Sequence, residues 1–244
     1  MKASTNKSMI IVLVGQSGAG KTTIAETIEY PKIASCTLLR NEVARRSLED
    51  NHENIHTVAM DLISQDPAWQ AKKVLEMASH YQPFIFDGPR SPTDLQFLLE
   101  SGRRIEIIGV YSSRAIRYQR VLKREQQPIT KEQFVQRCVD EVVEAGLNNC
   151  LRLATIQLFN NVDSLKDVRQ CAISLMDAIL SGNFSHMNFS FRGEMSGFEK
   201  FINAFSLLFT NSRKMCIMMK KYLNWEENRL RAYQRGEIPL EAFL

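Results

Sequence analysis

Long hydrophobic runs, paired cysteines and a strong charge of one sign are all missing from this chain, and each absence closes a class of function. The longest early apolar run, Met9 to Val14, is six residues, far short of the roughly 20 that span a bilayer. Two lysines and that run open the chain. Gly-rich sequence then follows at once, where a signal peptide would carry its cleavage site. Five cysteines, Cys36, Cys138, Cys150, Cys171 and Cys216, are widely spaced with no C-x-x-C, which favours neither a zinc site nor a disulfide framework. Their odd number fits a reducing compartment. Lys and Arg number 31 against 27 Asp and Glu, a surplus too small to imply a nucleic-acid or membrane partner. No internal repeat or low-complexity tract is visible. These absences lead us to expect a cytoplasmic protein without a membrane partner.

What is present is ordinary globular composition, 44% hydrophobic and 24% charged over 244 residues. That length suits one large domain or one domain with an appendage. Met9 to Val14 is β-branched and does not alternate, as expected of a strand buried on both faces. A helix over Lys21 to Tyr30 follows, stopped by Pro31. Further strands are expected near Ile33 to Leu39, Phe84 to Phe86, Arg104 to Tyr111 and Thr155 to Phe159. Helices are expected over much of Glu42 to Ser79 and at Pro92 to Glu100, Ser113 to Glu125, Thr130 to Ala145 and Ser164 to Leu180. Strand alternating with helix means a parallel sheet covered on both faces.

Between the first strand and its helix stands a phosphate-binding loop. Gly15, Gln16, Ser17, Gly18, Ala19, Gly20, Lys21 and Thr22 match G-x-x-x-x-G-K-[ST] without departure. Glycines let successive backbone N–H groups turn inward around a polyphosphate, and the following helix, through Thr23, presents its positive end. Lys21 can reach the β- and γ-phosphates, and the Thr22 hydroxyl can ligate Mg²⁺. ATP and Mg²⁺ are the expected cofactors. A guanine-reading N-K-x-D stretch is missing, as is an apolar run ending in Asp-Glu, which turns the reading from GTPase or motor toward phosphoryl transfer to a small acceptor.

Asp87, Gly88, Pro89 and Arg90 directly follow a strand, and ligands of an open parallel sheet bind off the carboxyl ends of its strands. Asp87 there can hold Mg²⁺ or polarise an acceptor, and Arg90 can clamp a phosphate. Arg40 is a second candidate acceptor clamp. Residues 114–137 carry seven basic side chains and two acidic ones. Arg117, Arg120 and Arg124 share helical spacing, so they could form a lid face over transferring phosphates, with Gln126, Gln127 and Pro128 as its tip. A solvated basic face is the alternative reading of the same spacing.

Several stretches occur in an order that resembles the archaeal adenylate-kinase-like and dephospho-CoA-kinase-like P-loop nucleotide kinases. They are Leu38 to Asp50, then Glu53 to Ile55, Phe86 to Asp94, Arg117 to Arg124, Phe134 to Arg137 and Asn161 to Leu165. The likeness covers about residues 8–180. It implies a five-stranded parallel sheet flanked by helices, an ATP site at the loop, and an acceptor region near Arg40 and Arg90. It also implies a lid carrying Arg120, Arg124 and Arg137, and a segment at Asn161 beside the adenine base. Asp163 replaces a frequent Gly of that group, and Cys138 replaces an acidic residue.

Composition changes after Gly182. Residues 183–244 hold 8 of the 13 Phe and 5 of the 10 Met, with nine basic and six acidic residues. Phe198, Phe201, Ile202, Phe205, Leu208 and Phe209 have helical spacing, extended by Met215, Met218, Met219 and Tyr222. The division expected is a kinase-like domain over 1–182 and a helical Phe/Met-rich extension over 183–244. Its stripe either packs on the chain's own core or, through residues 197–223, binds a protein partner or a second copy. The leading function is ATP- and Mg²⁺-dependent phosphoryl transfer to a nucleoside monophosphate or similar small acceptor. The alternatives are a nucleotide-dependent interaction protein and a kinase of nucleic-acid ends or modified bases.

Overall fold

In the computed structural model, residues 9–78, 82–89, 91–124, 128–184, 202 and 207–243 are described. Arg90, the lid-tip residues Gln126 and Gln127, and Phe198, Phe201 and Phe205 of the aromatic stripe lie outside them.

The strands are β1 (Met9–Val14), β2 (Lys32–Ala34), β3 (Phe84–Asp87), β4 (Arg104–Tyr111), β5 (Ile156–Asn160) and β6 (Leu207–Thr210). They form one sheet in the order β2-β3-β1-β4-β5-β6. All neighbours are parallel except β5 and β6, which run antiparallel. β1 lacks alternation because both of its faces are covered. Ile10, Val12 and Val14 enter a core shared with α4 (Trp69–Met77), α5 (Pro92–Leu99), α8 (Leu147–Leu151) and α10 (Arg213–Gln234). Met9, Ile11 and Leu13 enter a second core under α1 (Lys21–Thr27) and α9 (Leu165–Ser181).

A smaller core joins α6 (Arg114–Arg124) and α7 (Lys131–Val139) to the end of α10 through Val121, Phe134, Leu230 and Phe243. Side chains cap the helices where the sequence offers them. The Ser164 hydroxyl accepts from the Asp167 N–H, and Thr130 and Gln133 form a reciprocal capping box at the start of α7. Buried Asp94, near the start of α5, accepts from the Ala71 N–H at 2.8 Å and so ties α5 to α4.

Three expectations need revision. The sheet has a sixth strand, and it comes from the segment read as helical: Leu208 and Phe209 stand on β6, opposite Phe159 and Leu158. Without β6 the outer edge of β5 would expose its N–H and C=O groups, and Leu207–Thr210 has the apolar composition to cover it. The second strand stops at Ala34. Ser35–Arg45 is the helix α2, because Leu39 and Val43 are buried at i, i+4 spacing and outweigh the apolar run's strand character. The helix expected to Ala145 changes to a π-turn at Asp140–Glu144.

Candidate functional site

The loop leaves β1 at the centre of the sheet, where chain order jumps from β3 across β1 to β4, the position at which open α/β sheets bind ligands. Two of its glycines are needed for their backbone. Gly18 and Gly20 have φ of 80° and 94°, a region that side-chain-bearing residues rarely adopt. A Cβ on Gly18 would lie 2.6 Å from the Arg117 carbonyl oxygen, and one on Gly20 would collide with Asn160 Nδ2. The loop is therefore clamped by α6 on one side and by the end of β5 on another. Asn160 Nδ2 completes the second clamp by donating to the Ala19 carbonyl at 3.0 Å.

Lys21 lies back across its own loop, its Nζ donating to the carbonyls of Gly15 at 2.7 Å and Gln16 at 3.3 Å. Parallel register sets Asp87 beside Leu13, and the Gly88 N–H donates to the Leu13 carbonyl at 2.8 Å. That pairing brings the end of β3 to the start of α1, where Thr22 Oγ1 donates to Asp87 Oδ2 at 2.7 Å. Asp87 is buried, and its Oδ1 has no hydrogen-bond partner among the described residues. A buried carboxylate oxygen with spare lone pairs beside a hydroxyl is a pair of hard oxygen donors, which fits Mg²⁺. The glycine cradle beside it fits a polyphosphate.

Arg120, expected on a lid, reaches the phosphate loop from α6. Its Nη1 donates to the carbonyls of Gly18 at 3.2 Å and Asn160 at 3.0 Å, and its Nη2 to that of Val162 at 2.6 Å. It thereby ties the loop to the segment after β5. Asn161 holds the ends of β4 and β5 together: its Oδ1 accepts from the Ser113 N–H at 2.9 Å, and its Nδ2 donates to the Ile202 carbonyl at 2.8 Å. Arg117 is not on an open lid face with Arg120 and Arg124. It is buried, while Arg124 is exposed and Arg137 half-buried. Arg40 pairs with Asp50 at 3.2 Å on an exposed part of α2.

One member of the site has no signal in the pattern of the sequence. Glu141, on the π-turn, receives both polar hydrogens of Ser17: the backbone N–H at 2.9 Å and the hydroxyl at 2.7 Å. The extra residue of the π-turn changes the direction in which Glu141 points, and a regular helical wheel does not register it. Of the stripe read as packing either on the chain's own core or on a partner, Ile202, Met215, Met219 and Tyr222 are buried in the core of this chain. No helix among the described residues is long and apolar enough to cross a membrane.

A loop of this geometry on a sheet of this order defines a P-loop kinase-like protein. The sequence model of the Zeta toxin family matches residues 1–169, and the chain belongs to that family. A UPF0200 protein of Aeropyrum pernix is 30% identical over 171 residues, covering 68% of this chain and 90% of that protein. A UPF0200 protein of Thermococcus onnurineus is 27% identical over 165 residues, covering 63% of this chain and 89% of that one. Among solved structures, a gluconokinase from Sinorhizobium meliloti 1021 is 16% identical with a TM-score of 0.46, covering 72% of this chain and 96% of that chain. The P-loop kinase fold supports nucleotide-dependent phosphoryl transfer in general.

Proposed function

We propose that the chain is an ATP- and Mg²⁺-dependent kinase acting on a nucleoside monophosphate or a similar small phosphorylated acceptor. The observation that carries this reading is the Thr22–Asp87 contact at the mouth of the loop, with the second Asp87 oxygen unpartnered among the described residues. Mg²⁺ held by those two side chains would supply charge neutralisation on the transferring phosphates. Lys21 would exchange the Gly15 and Gln16 carbonyls for phosphate oxygens and stabilise the charge that develops on transfer. Arg120, already at the junction of the loop and the segment after β5, would border the nucleotide, with Asn161 shaping the floor of that segment. Arg90 and Arg40 would hold the acceptor phosphate, and Arg124 and Arg137 would close over the transfer.

The test is turnover by the full chain with ATP, Mg²⁺ and a panel of nucleoside monophosphates, small phosphorylated acceptors and 5′-hydroxyl oligonucleotides. ADP formation that depends on a phosphorylated small acceptor is the expected result. ATP binding without turnover on any acceptor would favour the second reading, a nucleotide-dependent interaction protein. The Ser17–Glu141 contact supports that second reading, because it links the loop directly to the lid helices.

A further inference from the structure

Behind the phosphate loop lies a buried charge cluster that no part of the transfer reaction uses. Arg114 and Arg117 leave α6 toward the interior, and Glu226 reaches them from α10 at 3.6 Å and 3.8 Å. Arg117 is 1% exposed and Glu226 2%. The Arg117 guanidinium stands 5.5 Å over the Phe134 ring, and its Nη1 donates to the Ser17 carbonyl at 3.4 Å. The backbone of the same residue is the surface against which Gly18 is packed. Arg117 therefore grips two successive residues of the loop, one through its side chain and one through its main chain.

Such a grip needs a counter-charge. Two guanidiniums in this setting are costly unless paired, and removing the Glu226 carboxylate takes away one of the buried partners that hold them in place. A cavity of about 10 Å³, lined by Gln16, Tyr111, Arg117, Tyr222 and Glu226 among others, adjoins the cluster. Gln16 Nε2 and Tyr111 Oη, on its wall, have no hydrogen-bond partner among the described residues. The space is about that of one water, so the cluster is not closely packed on that side.

We infer that Glu226 is a positioning residue for the phosphate loop: it fixes Arg117, Arg117 fixes Ser17 and Gly18, and α10 thereby sets the affinity of the loop for polyphosphate. The inference rests on the reading of the loop as the nucleotide site. It assigns a role in nucleotide binding to a helix that lies beyond the residues matched by the family. Charge and position predict opposite outcomes. Loss of the Glu226 charge alone would make the region under the loop more positive and tighten anion binding. Loss of its positioning would loosen the loop and weaken binding.

The experiment is calorimetric titration of the full chain with Mg-ATP and, separately, with inorganic tripolyphosphate, which engages the loop alone. Glu226→Gln is expected to weaken both ligands by about five- to tenfold at unchanged binding stoichiometry. Unchanged or tighter affinity overturns the inference. So does a lower stoichiometry at unchanged affinity, the signature of a purely structural residue. Failure of the unaltered chain to bind either ligand would instead overturn the reading of the loop on which the inference stands. If Glu226→Gln does not fold, Glu226→Asp carries the test: it keeps the charge and withdraws it by one methylene. Weaker tripolyphosphate binding at full stoichiometry is then expected, and unchanged affinity overturns the inference.

Discussion

The phosphate loop and helix α10 touch the same residue, Arg117, yet their chemistry is written into the chain in opposite ways. The loop's own chemical groups are contiguous: an apolar strand, glycines at the positive-φ positions, a lysine and a threonine. Its neighbours could change and the motif would still be recognisable. Helix α10 has no motif. Met215, Met219, Tyr222 and Leu223 form an apolar face that would suit any helix packed on any core, and Glu226 looks like one more polar residue on it. Its contribution exists only once the chain has folded back over α6. A site can thus be local in its chemistry and distributed in its support, and the two can be broken separately.

The largest expected effect breaks the support. A chain ending at Ser181 loses β6 and α10, uncovers the edge of β5 and exposes the apolar face that Met215, Met219, Tyr222 and Leu223 cover. At roughly 1.5–3 kcal/mol for each fully buried large side chain, those four contribute an amount comparable to the roughly 5–15 kcal/mol stability of a whole domain. No cooperative melting transition by circular dichroism is the expected result. A cooperative melt with ATP binding intact would mean that the segment after 182 is the separable extension that its composition suggests.

Next in size is a change that breaks the chemistry and leaves the support. Lys21→Ala should lower turnover by at least about a hundredfold, the loss of roughly 3 kcal/mol of transition-state stabilisation. Its melting temperature should stay close to that of the unaltered chain, since the lysine is half-buried and its Nζ donates to the Gly15 and Gln16 carbonyls of its own loop. Turnover near the original rate would remove Lys21 from the reaction.

What could be read in advance follows the same division. The sheet, the loop and the place of Asp87 at the end of β3 were legible because each depends on a short window and on the rule for where open sheets bind ligands. Three features were not. Leu208 and Phe209 continue a stripe of helical spacing, and only the open edge of β5 makes a strand of Leu207–Thr210. Arg117 and Arg120 sit three apart and read as one face, but buried Glu226 draws one inward while backbone carbonyls of the loop and of the segment after β5 hold the other. Glu141 reaches Ser17 only because α7 runs into a π-turn. In each case the deciding partner is far away in sequence, and local periodicity is silent about it.

A third prediction lies in the support again and concerns pH. Burial raises the Asp94 carboxyl to about 7, aided by the nearby Asp66 charge and opposed by the N–H groups of Ala71 and Gln70. Between the ordinary carboxylate range and about 7 the folded chain therefore holds a proton that the unfolded chain has released. Stability from this group is present at low pH and is lost as pH rises through that window. A shift of this size corresponds to at most roughly 4 kcal/mol. Asp94→Asn should flatten the fall in melting temperature between about pH 4.5 and 7. An unchanged slope would show that Asp94 is ionised throughout.

The smallest effect is expected where loop and support meet at the surface. Asp163 is a departure from the glycine that the sequence resemblance leads one to expect, and it pairs with Arg120 at 3.4 Å and with Lys123 at 3.7 Å. Its side chain is 69% exposed, and exposed ion pairs are worth about 0–1 kcal/mol. Arg120 does not depend on it, because the carbonyls of Gly18, Asn160 and Val162 fix the guanidinium from the protein side. Asp163→Gly should therefore change Mg-ATP affinity by no more than about threefold, with any change shrinking as salt is raised from 0.05 to about 0.5 M. A tenfold loss that persists at high salt would show that Asp163 is part of the nucleotide site.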